Sequence, residues 1–264
     1  MVFIWLFILA AVTIVIVAAL LMRYLEEENQ RYNEKSSLLK KQMTSNIAHE
    51  LRTPVTSIRG YLETLLACPD MPQEKKHAFI ERAYNQTLRL SELISDMALI
   101  SKIEEKSSNF TKTEIDLYDI ICEVVDEFSE RIASKNVSID NTILQGTLLN
   151  ANRTLIYSIL RNLVENSLKY AGDGVTLHLE SFYDVSARTH YVTYYDTGAG
   201  VPEEHLERIF ERFYRVSEGR TRDDGGSGLG LSIVRNAVAF HNGKIKVENR
   251  PEGGLVFNFS LSRD

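Results

Sequence analysis

The sequence has few cysteines and no excess of positive charge, and both features exclude classes of protein. Its two cysteines, Cys68 and Cys122, form no Cys-x-x-Cys motif and no cluster with histidines. This excludes a zinc site or a disulfide framework, and each cysteine is expected to be a small buried residue. The formal net charge is −6 and no basic patch with interleaved aromatic residues dominates the chain, so nucleic acid is not expected as a partner.

Charged residues are missing from the start of the chain. Residues 1–22 are apolar apart from Thr13, and about 20 helical residues cross a hydrocarbon core of about 30 Å. A signal peptide would begin with basic residues and have a shorter apolar region. Basic residues appear only from Arg23 onward, so the positive-inside rule places the N-terminus outside the cell and the later residues in the cytoplasm. The sequence predicts a single-pass anchor in the cell membrane (inner or plasma).

Glycine and proline are missing from residues 23–42, which are charged and favour a helix. We therefore expect a helical linker that leaves the membrane and leads into the next helix. Leu25, Tyr32 and Leu39 give a thin heptad signal, which is compatible with a coiled coil. The sequence shows no sensor domain before this point.

A histidine motif follows in residues 45–54. Apolar residues recur at steps of three and four between Met43 and Leu65, which predicts an amphipathic helix. His49 lies off the apolar stripe, is followed by Glu50, and has Thr53 one turn further along its own face. Pro54 cannot donate a hydrogen bond to the carbonyl of Glu50, so we expect the helix to be weakened or kinked there.

A second helix is predicted to pair with this one. The first helix should end near Ala67, because residues 68–72 contain two prolines. Apolar residues then recur on one face at Phe79, Ala83, Leu90, Ile94 and Met97. A single hairpin buries too little apolar surface to be stable, so a four-helix bundle in a homodimer is expected. The alternative is that both faces pack on the downstream domain.

Helices and strands alternate after a polar link at residues 104–113, which predicts an α/β sandwich with helices on one face of the sheet. The predicted helices are 116–134, 152–171 and 229–240, the second of them capped by Asn150 or Asn152. The predicted strands are 137–139, 175–182, 189–195, 244–248 and 255–261.

Polar side chains recur along one side of the helix at 160–170. Asn162, Asn166, Lys169 and Tyr170 follow the spacing i, i+4, i+7 and i+8. Amides and a lysine aligned in this way suit a metal–phosphate group. The alternative is a solvated helix face.

An acid and two glycines end the strand at 189–195. The carboxylate of Asp196 at a strand end can accept a hydrogen bond from the amino group of a base, and Gly198 and Gly200 allow a backbone to approach closely. A simple turn uses the same residue types, so that alternative stays open.

A second glycine cluster, Gly226, Gly228 and Gly230, leads into an apolar helix. Free amides at the start of a helix form an anion site, so this loop is a phosphate-binding candidate, and the alternative is a flexible loop. It is not a Walker loop, because no lysine precedes Ser232. The segment between the clusters is rich in arginine and aromatic residues and is expected to form a mobile lid.

Taken in order, these motifs resemble those of a membrane sensor histidine kinase of two-component signalling. The motifs are the His box, the Asn helix, Asp-x-Gly-x-Gly, the Phe-Glu-Arg-Phe-Tyr-Arg run and Gly-x-Gly-x-Gly, and the likeness covers about residues 43–261. It implies that a dimerisation and histidine-phosphotransfer hairpin (43–106) follows the predicted transmembrane helix (1–22) and helical linker (23–42). An ATP-binding domain of the type shared with gyrase and heat-shock chaperones follows (110–264, lid 198–228).

The resemblance implies roles for the hairpin residues. His49 would attack the γ-phosphate of ATP through one ring nitrogen while Glu50 accepts the proton from the other. The phosphate would pass to an aspartate of a response-regulator receiver domain. In the family, the position of Thr53 is associated with removing phosphate from that partner. The alternative for Thr53 is that it only tolerates the position before Pro54.

The resemblance also implies a set of nucleotide ligands. Asn166 would bind Mg²⁺ with support from Asn162, and Asp196 would select adenine. The other implied ATP-binding residues are Lys169 and Tyr170 near the phosphates and ribose, Gly198 and Gly200 in the adenine pocket, Phe210 and Arg215 in the lid, and Gly226, Gly228 and Gly230 at the phosphates.

Two other function classes and one departure from the family remain open. ATPase relatives carry a catalytic Glu where this chain has Asn162, which argues against a gyrase-like ATPase machine. A catalytically silent ATP-binding scaffold is the other alternative. A usual family member has two membrane spans around an external sensor, whereas this sequence has one span. It is then the C-terminal part of a longer kinase, or it senses through the membrane or a partner protein.

Overall fold

The computed structural model describes residues 2–105, 110–216 and 226–262, without the side chains of residues 2–20, 27 and 32–43. The chain divides into two compact units, residues 1–53 and 54–264. The helices in the described residues are α1 (Val2–Ala67), α2 (Gln73–Glu104), α3 (Leu117–Glu127), α4 (Ser129–Ser134), α5 (Arg153–Tyr170), α6 (Glu203–Leu206) and α7 (Gly230–Phe240). The strands there are β1 (Thr113–Asp116), β2 (Ser138–Asn141), β3 (Leu148–Ala151), β4 (Thr176–Asp184), β5 (Thr189–Asp196), β6 (Ile245–Asn249) and β7 (Leu255–Ser262).

Helix α1 contains the whole described part of the first unit and ends at Ala67, as the sequence predicts. Most side chains of the predicted membrane span, residues 1–22, lie outside the described residues. So do those of Tyr32 and Leu39, two of the three heptad positions. Within the described part of the chain, no helix has an apolar stretch long enough to cross a membrane.

The helix continues through Pro54 instead of ending there. The Thr53 hydroxyl donates a hydrogen bond to the carbonyl of His49, at 3.3 Å. A proline in a helix interior cannot bond the carbonyl four residues back, so the backbone next to the His49–Glu50 pair has one fewer helical hydrogen bond than an ordinary turn.

Helices α1 and α2 are joined by the short turn at 68–72, and the rings of Tyr61 and Phe79 lie 5.8 Å apart across them. Cys68 lies on this turn and is exposed, and Cys122 is half-buried, so the expectation that both are buried is wrong. Cys68 directly follows the last residue of α1, in the turn between the two helices.

The exposed and buried residues of the hairpin separate along its length. Large apolar side chains are exposed on both helices: Val55, Leu62, Leu66, Ile80, Tyr84, Leu88 and Ile94. Towards the end of α2, Leu93, Ile100 and Ile103 are buried, and α2 packs against α7. The alternative that a hairpin face packs on the downstream domain is therefore realised at this end, while the exposed residues leave a face for another partner.

The second unit also contains an α/β sandwich, as predicted. Its larger sheet has the strand order β2-β4-β5-β7-β6 among the described residues, with β2 parallel to β4 and the other pairs antiparallel. Burial alternates along β7, where Leu255, Phe257, Phe259 and Leu261 are buried. This is the pattern of a sheet with one face on the core and one towards solvent.

Two features of this unit differ from the sequence expectation. The single helix expected at 116–134 is two helices, because the backbone leaves helical geometry at Phe128 (φ −98°, ψ 8°). A small sheet of β1 paired antiparallel with β3 was not expected. Each of its strands has four residues, and neither segment alternates strictly between apolar and polar residues.

The helix that carries the Asn motif is tied at its start to the end of α7. Asn152 caps α5, because its Oδ1 accepts a hydrogen bond from the backbone N–H of Leu155 (3.1 Å). The backbone N–H of Asn152 donates to Nε2 of His241 (3.0 Å). Nδ1 of His241 donates to the carbonyl of Ala237 (2.7 Å), so the ring is neutral with its proton on Nδ1. Burial holds the pKa of His241 below its usual range.

Candidate functional site

The predicted polar row lies on α5, and its members differ in their surroundings. Asn162 and Asn166 are half-buried, and Nδ2 of Asn162 donates to the carbonyl of Ser158 (2.8 Å). The Lys169 ammonium lies 2.7 Å from the carboxylate of Glu165. Tyr170 is exposed. Lys169 is thus already paired within its own helix, which the spacing did not indicate.

Asp196 ends β5 and is buried, with 3% of its surface exposed. Its Oδ1 accepts from the amide of Gly198 (3.0 Å) and from the amide of Leu255 (3.3 Å). Its Oδ2 accepts from the hydroxyl of Ser167 on α5 (2.9 Å). The carboxylate is therefore held in a fixed orientation between a strand end and the Asn helix, which a simple turn does not require.

Gly198 brings the end of β5 against the end of α5. A Cβ at this position would lie 2.5 Å from the carbonyl oxygen of Ala171, closer than any side chain allows. Two residues on, Gly200 lies beside Asn249, whose side-chain amide bonds both the N–H (3.0 Å) and the C=O (2.7 Å) of Val201. The first glycine cluster thus lets the backbone after β5 lie close to the end of α5 and to Asn249.

The second glycine cluster also meets α5. A Cβ at Gly230, the first residue of α7, would lie 2.5 Å from Oδ1 of Asn162. A Cβ at Gly226 would lie 2.7 Å from the hydroxyl oxygen of Tyr170. Gly228 has a φ of +70° and accepts at its carbonyl from the amide of Phe213 (2.8 Å). The loop is therefore held against α5 and the lid, and α7 directs its first amides to this place.

The described part of the predicted lid is anchored by aromatic residues. Phe210 is buried and packs edge-on against Phe257, with 6.4 Å between ring centroids. Arg208 lies over the ring of Tyr214 at 4.2 Å. Arg215 is half-buried. Residues 217–225 of the lid lie outside the described residues.

Charged groups line the border between α5 and α2. Burial raises the pKa of Glu165, but Lys169 and Arg161, at 2.7 Å and 3.1 Å, hold it below its usual range. Burial raises the pKa of Asp96 on α2 to about 6. Asp96 accepts a hydrogen bond from the hydroxyl of Ser227 in the glycine loop (3.3 Å).

Sequence reasoning missed several residues of this site. Ser167 and Tyr194 form a buried link to Asp196, and a serine on the apolar side of α5 was a signal that could have found the first of them. Tyr194 lies two residues before Asp196 and therefore on the same face of β5, which the sequence alone could have shown. Asp96 and Ser227 meet across a long separation in sequence, and no local pattern points to that pair.

The residues predicted to act in catalysis belong to the first unit. His49 is exposed on α1, and Glu50 and Thr53 are half-buried. Thr53 and His49 lie one turn apart, as their spacing predicts. The predicted nucleotide ligands all belong to the second unit, where the structure brings α5, the end of β5, and the glycine loop together.

Comparison with known families agrees with this organisation. Residues 39–106 match the His Kinase A (phospho-acceptor) domain, and residues 151–264 match the family described as histidine kinase-, DNA gyrase B-, and HSP90-like ATPase. Within the fold, the first match contains the hairpin and the second contains α5, the Asp196 carboxylate and the glycine loop.

Individual relatives are sensor kinases. The sensor histidine kinase WalK of Bacillus subtilis (strain 168) is 30% identical over 230 residues, which cover 86% of this chain and 37% of WalK. The sensor histidine kinase YcbM of the same organism is 30% identical over 227 residues, which cover 84% of this chain and 71% of YcbM. The chain spans less than half the length of the first curated relatives that it matches.

A solved structure shares the fold of most of the chain. The histidine kinase ThkA, in a crystal structure with the response regulator protein TrrA, matches with a TM-score of 0.67 and 29% identity. The match covers 91% of this chain and 66% of that chain. The chain belongs to the sensor histidine kinases of two-component signalling.

Proposed function

We propose that this chain is a protein-histidine kinase that transfers the γ-phosphate of ATP to His49 and then to an aspartate of a response-regulator receiver domain. The convergence of α5, the buried Asp196 carboxylate and the glycine loop in one place is the observation that carries the proposal. The exposed ring of His49 on a helix, beside the half-buried Glu50, supplies an accessible nucleophile and a base.

The nucleotide is bound at the meeting point of these elements. Asp196 accepts a hydrogen bond from the amino group of adenine, and Gly198 and Gly200 form the wall of that pocket. Gly226, Gly228 and Gly230 leave backbone amides free to face the phosphates at the start of α7. Three side chains, Lys169, Tyr170 and Arg215, and the buried ring of Phe210 complete the set of ligands around the phosphates, ribose and lid.

The amides of α5 suit a divalent cation. Nδ2 of Asn162 is occupied by the carbonyl of Ser158, so its Oδ1 faces Gly230, and Asn166 follows one turn later. Asn166 would supply one amide oxygen to Mg²⁺, with phosphate and water oxygens as the other ligands. When bound, the ion neutralises charge on the phosphates. Asn162 is uncharged and cannot take a proton from water, so this site favours transfer to His49 over ATP hydrolysis.

The active form is a homodimer anchored in the cell membrane. The apolar side chains exposed on α1 and α2, such as Val55, Leu62 and Leu88, give the hairpin a face that a second copy would bury in a four-helix bundle. Residues 1–22 supply a membrane span, and the residues after Arg23 lie in the cytoplasm. Thr53 acts in a second activity, the removal of phosphate from the response regulator.

The test is transfer of labelled γ-phosphate from ATP to the full chain. Wild-type protein is expected to gain a phosphate that is labile in acid and stable in base, and His49→Gln is expected to gain none while it still binds ADP. His77→Gln is the matched control, because His77 is also an exposed histidine of the hairpin. Labelling of His49→Gln at the wild-type level would contradict the assignment of His49 as the phosphorylated residue.

A further inference from the structure

A buried chain of hydroxyl groups leads to the Asp196 carboxylate. The hydroxyl of Tyr194 on β5 lies 3.0 Å from Oγ of Ser167 and 3.2 Å from the carbonyl oxygen of Leu163, both on α5. Ser167 in turn donates to Oδ2 of Asp196 at 2.9 Å. Tyr194, Ser167 and Asp196 are buried, with 0%, 1% and 3% of their surfaces exposed.

The Tyr194 hydroxyl determines which acceptor the Ser167 hydroxyl donates to. A serine inside a helix commonly donates to the carbonyl four residues earlier, which here is that of Leu163. The Tyr194 hydroxyl lies within hydrogen-bond distance of that carbonyl and of Ser167 itself. Burial raises the pKa of Tyr194 far above its usual range, so this hydroxyl remains a donor. With Tyr194 as the donor to either acceptor, the Ser167 proton is left for Asp196.

The serine in turn leaves one acceptor position on the carboxylate. An ionised carboxylate has about four lone-pair positions, two on each oxygen. Two backbone amides, those of Gly198 and Leu255, occupy Oδ1, and Ser167 occupies one position on Oδ2. No other group of the described residues bonds Oδ2, so one position on it is open, and the other three bonds fix its direction.

We propose that Tyr194 and Ser167 are positioning residues that set the nucleobase selectivity of this kinase. They hold Asp196 with a single acceptor position that matches the 6-amino group of adenine. A purine with a 6-oxo group presents an acceptor to that same oxygen, and a site built for an N–H donor rejects such a ligand strongly. This inference rests on the proposed role of Asp196 in nucleotide binding.

The test compares ADP with inosine diphosphate (IDP), which carries an oxo group in place of the 6-amino group. Binding of each to the full chain with Mg²⁺ is measured by calorimetry, for wild type, Tyr194→Phe, Ser167→Ala and the double variant. Each single variant is expected to reduce the preference for ADP about five- to tenfold, the effect of one hydrogen bond. The double variant should lose no more than either single variant, because both act on one oxygen of Asp196.

A neighbouring tyrosine provides the control. Tyr195 lies on the opposite face of β5, stacked on His178 at 4.5 Å, so Tyr195→Phe should keep the wild-type preference. Additive losses in the double variant, or an unchanged ADP-to-IDP ratio in both single variants, would overturn the role of the hydroxyl chain while leaving nucleotide binding intact. Equal affinity of wild-type protein for ADP and IDP would contradict the role of Asp196 itself, and the inference with it. If Tyr194→Phe fails to fold, Ser167→Ala alone decides the question.

Discussion

The contact between α2 and the glycine loop should depend on pH through Asp96. Ser227 of the loop donates to the Asp96 carboxylate at 3.3 Å. Burial raises the pKa of Asp96 from 3.8 to about 6; Glu165 and Glu92 add to the rise, and the Ser227 hydrogen bond and Arg161 oppose it. Burial of Asp96 therefore favours the uncharged carboxyl, although the hydrogen bond from Ser227 taken alone favours the charged form.

The size and sign of the effect follow from that shift. A rise of about two pKa units corresponds to about 3 kcal/mol. Because the pKa is higher when Asp96 is buried than when it is exposed, the packed state of α2 and the loop is most stable below pH 3.8, relative to an open state that exposes Asp96. This stability falls as the pH rises towards about 6, and the full loss persists above that value. Asp96→Asn removes the ionisation, so the contact in this variant should not weaken over the same range.

The amide of Leu229 can report on the contact, because it donates to the same Ser227 hydroxyl at 3.2 Å. We expect its protection from hydrogen exchange in Asp96→Asn to exceed that of wild type by at most about 100-fold at pH 7.5 and about tenfold at pH 5. Asp70→Asn, at an exposed aspartate of the turn, is the control and should match wild type. Equal protection of Asp96→Asn and wild type at both pH values would refute the reasoning.

Three further changes test separate parts of the structure. Gly230→Ala places a Cβ 2.5 Å from Oδ1 of Asn162 and should weaken ADP binding, measured by calorimetry, at least about tenfold. Gly60→Ala is the control, because no atom lies within 4 Å of its Cβ, and it should leave ADP binding unchanged. Equal losses of affinity in the two variants would contradict the role of the Gly230 contact. The pKa of His241 lies below its usual 6.5 in the folded protein, so below that pH the unfolded chain binds a proton that the folded chain does not bind. The free energy of unfolding in urea should therefore fall from pH 7.5 to pH 5, and it should fall less in His241→Gln. An identical fall in both proteins would exclude His241 as the cause. Thr53→Ala should keep autophosphorylation and lose dephosphorylation of a receiver domain, followed as phosphate decay with ADP and Mg²⁺; decay at the wild-type rate would leave Thr53 a structural residue.

Local patterns in the sequence were enough for the main elements. The predicted helix 152–171 is Arg153–Tyr170, and Asn152, one of its two candidate caps, provides the cap. The strand predicted at 189–195 is Thr189–Asp196, so Asp196 ends a strand as expected. These succeeded because hydrophobic period and capping are set by neighbours within one or two turns.

The failures come from contacts between residues that are distant in sequence. The short pairing of β1 with β3 is stabilised by strand partners, not by an alternating pattern. The hydroxyls of Ser167 and Tyr194 acquire their meaning only when α5 lies on β5. The ion pair of Lys169 with Glu165, one turn earlier, was not expected, because periodicity shows which residues share a helix face and not which of them pair.

The hydrogen bond between Asn152 and His241 holds one end of α7. It joins the start of α5 to the end of α7, while the start of α7 meets α5 at Asn162 and Gly230, so the two helices run antiparallel and are fixed at the end away from the nucleotide site. The 11 residues of α7 span about 16 Å. A rotation of only about 5° around the fixed end displaces Gly230 by about 1.4 Å. A tilt of this size would move the phosphate end of the site by more than an ångström while the bond between Asn152 and His241 stays in place.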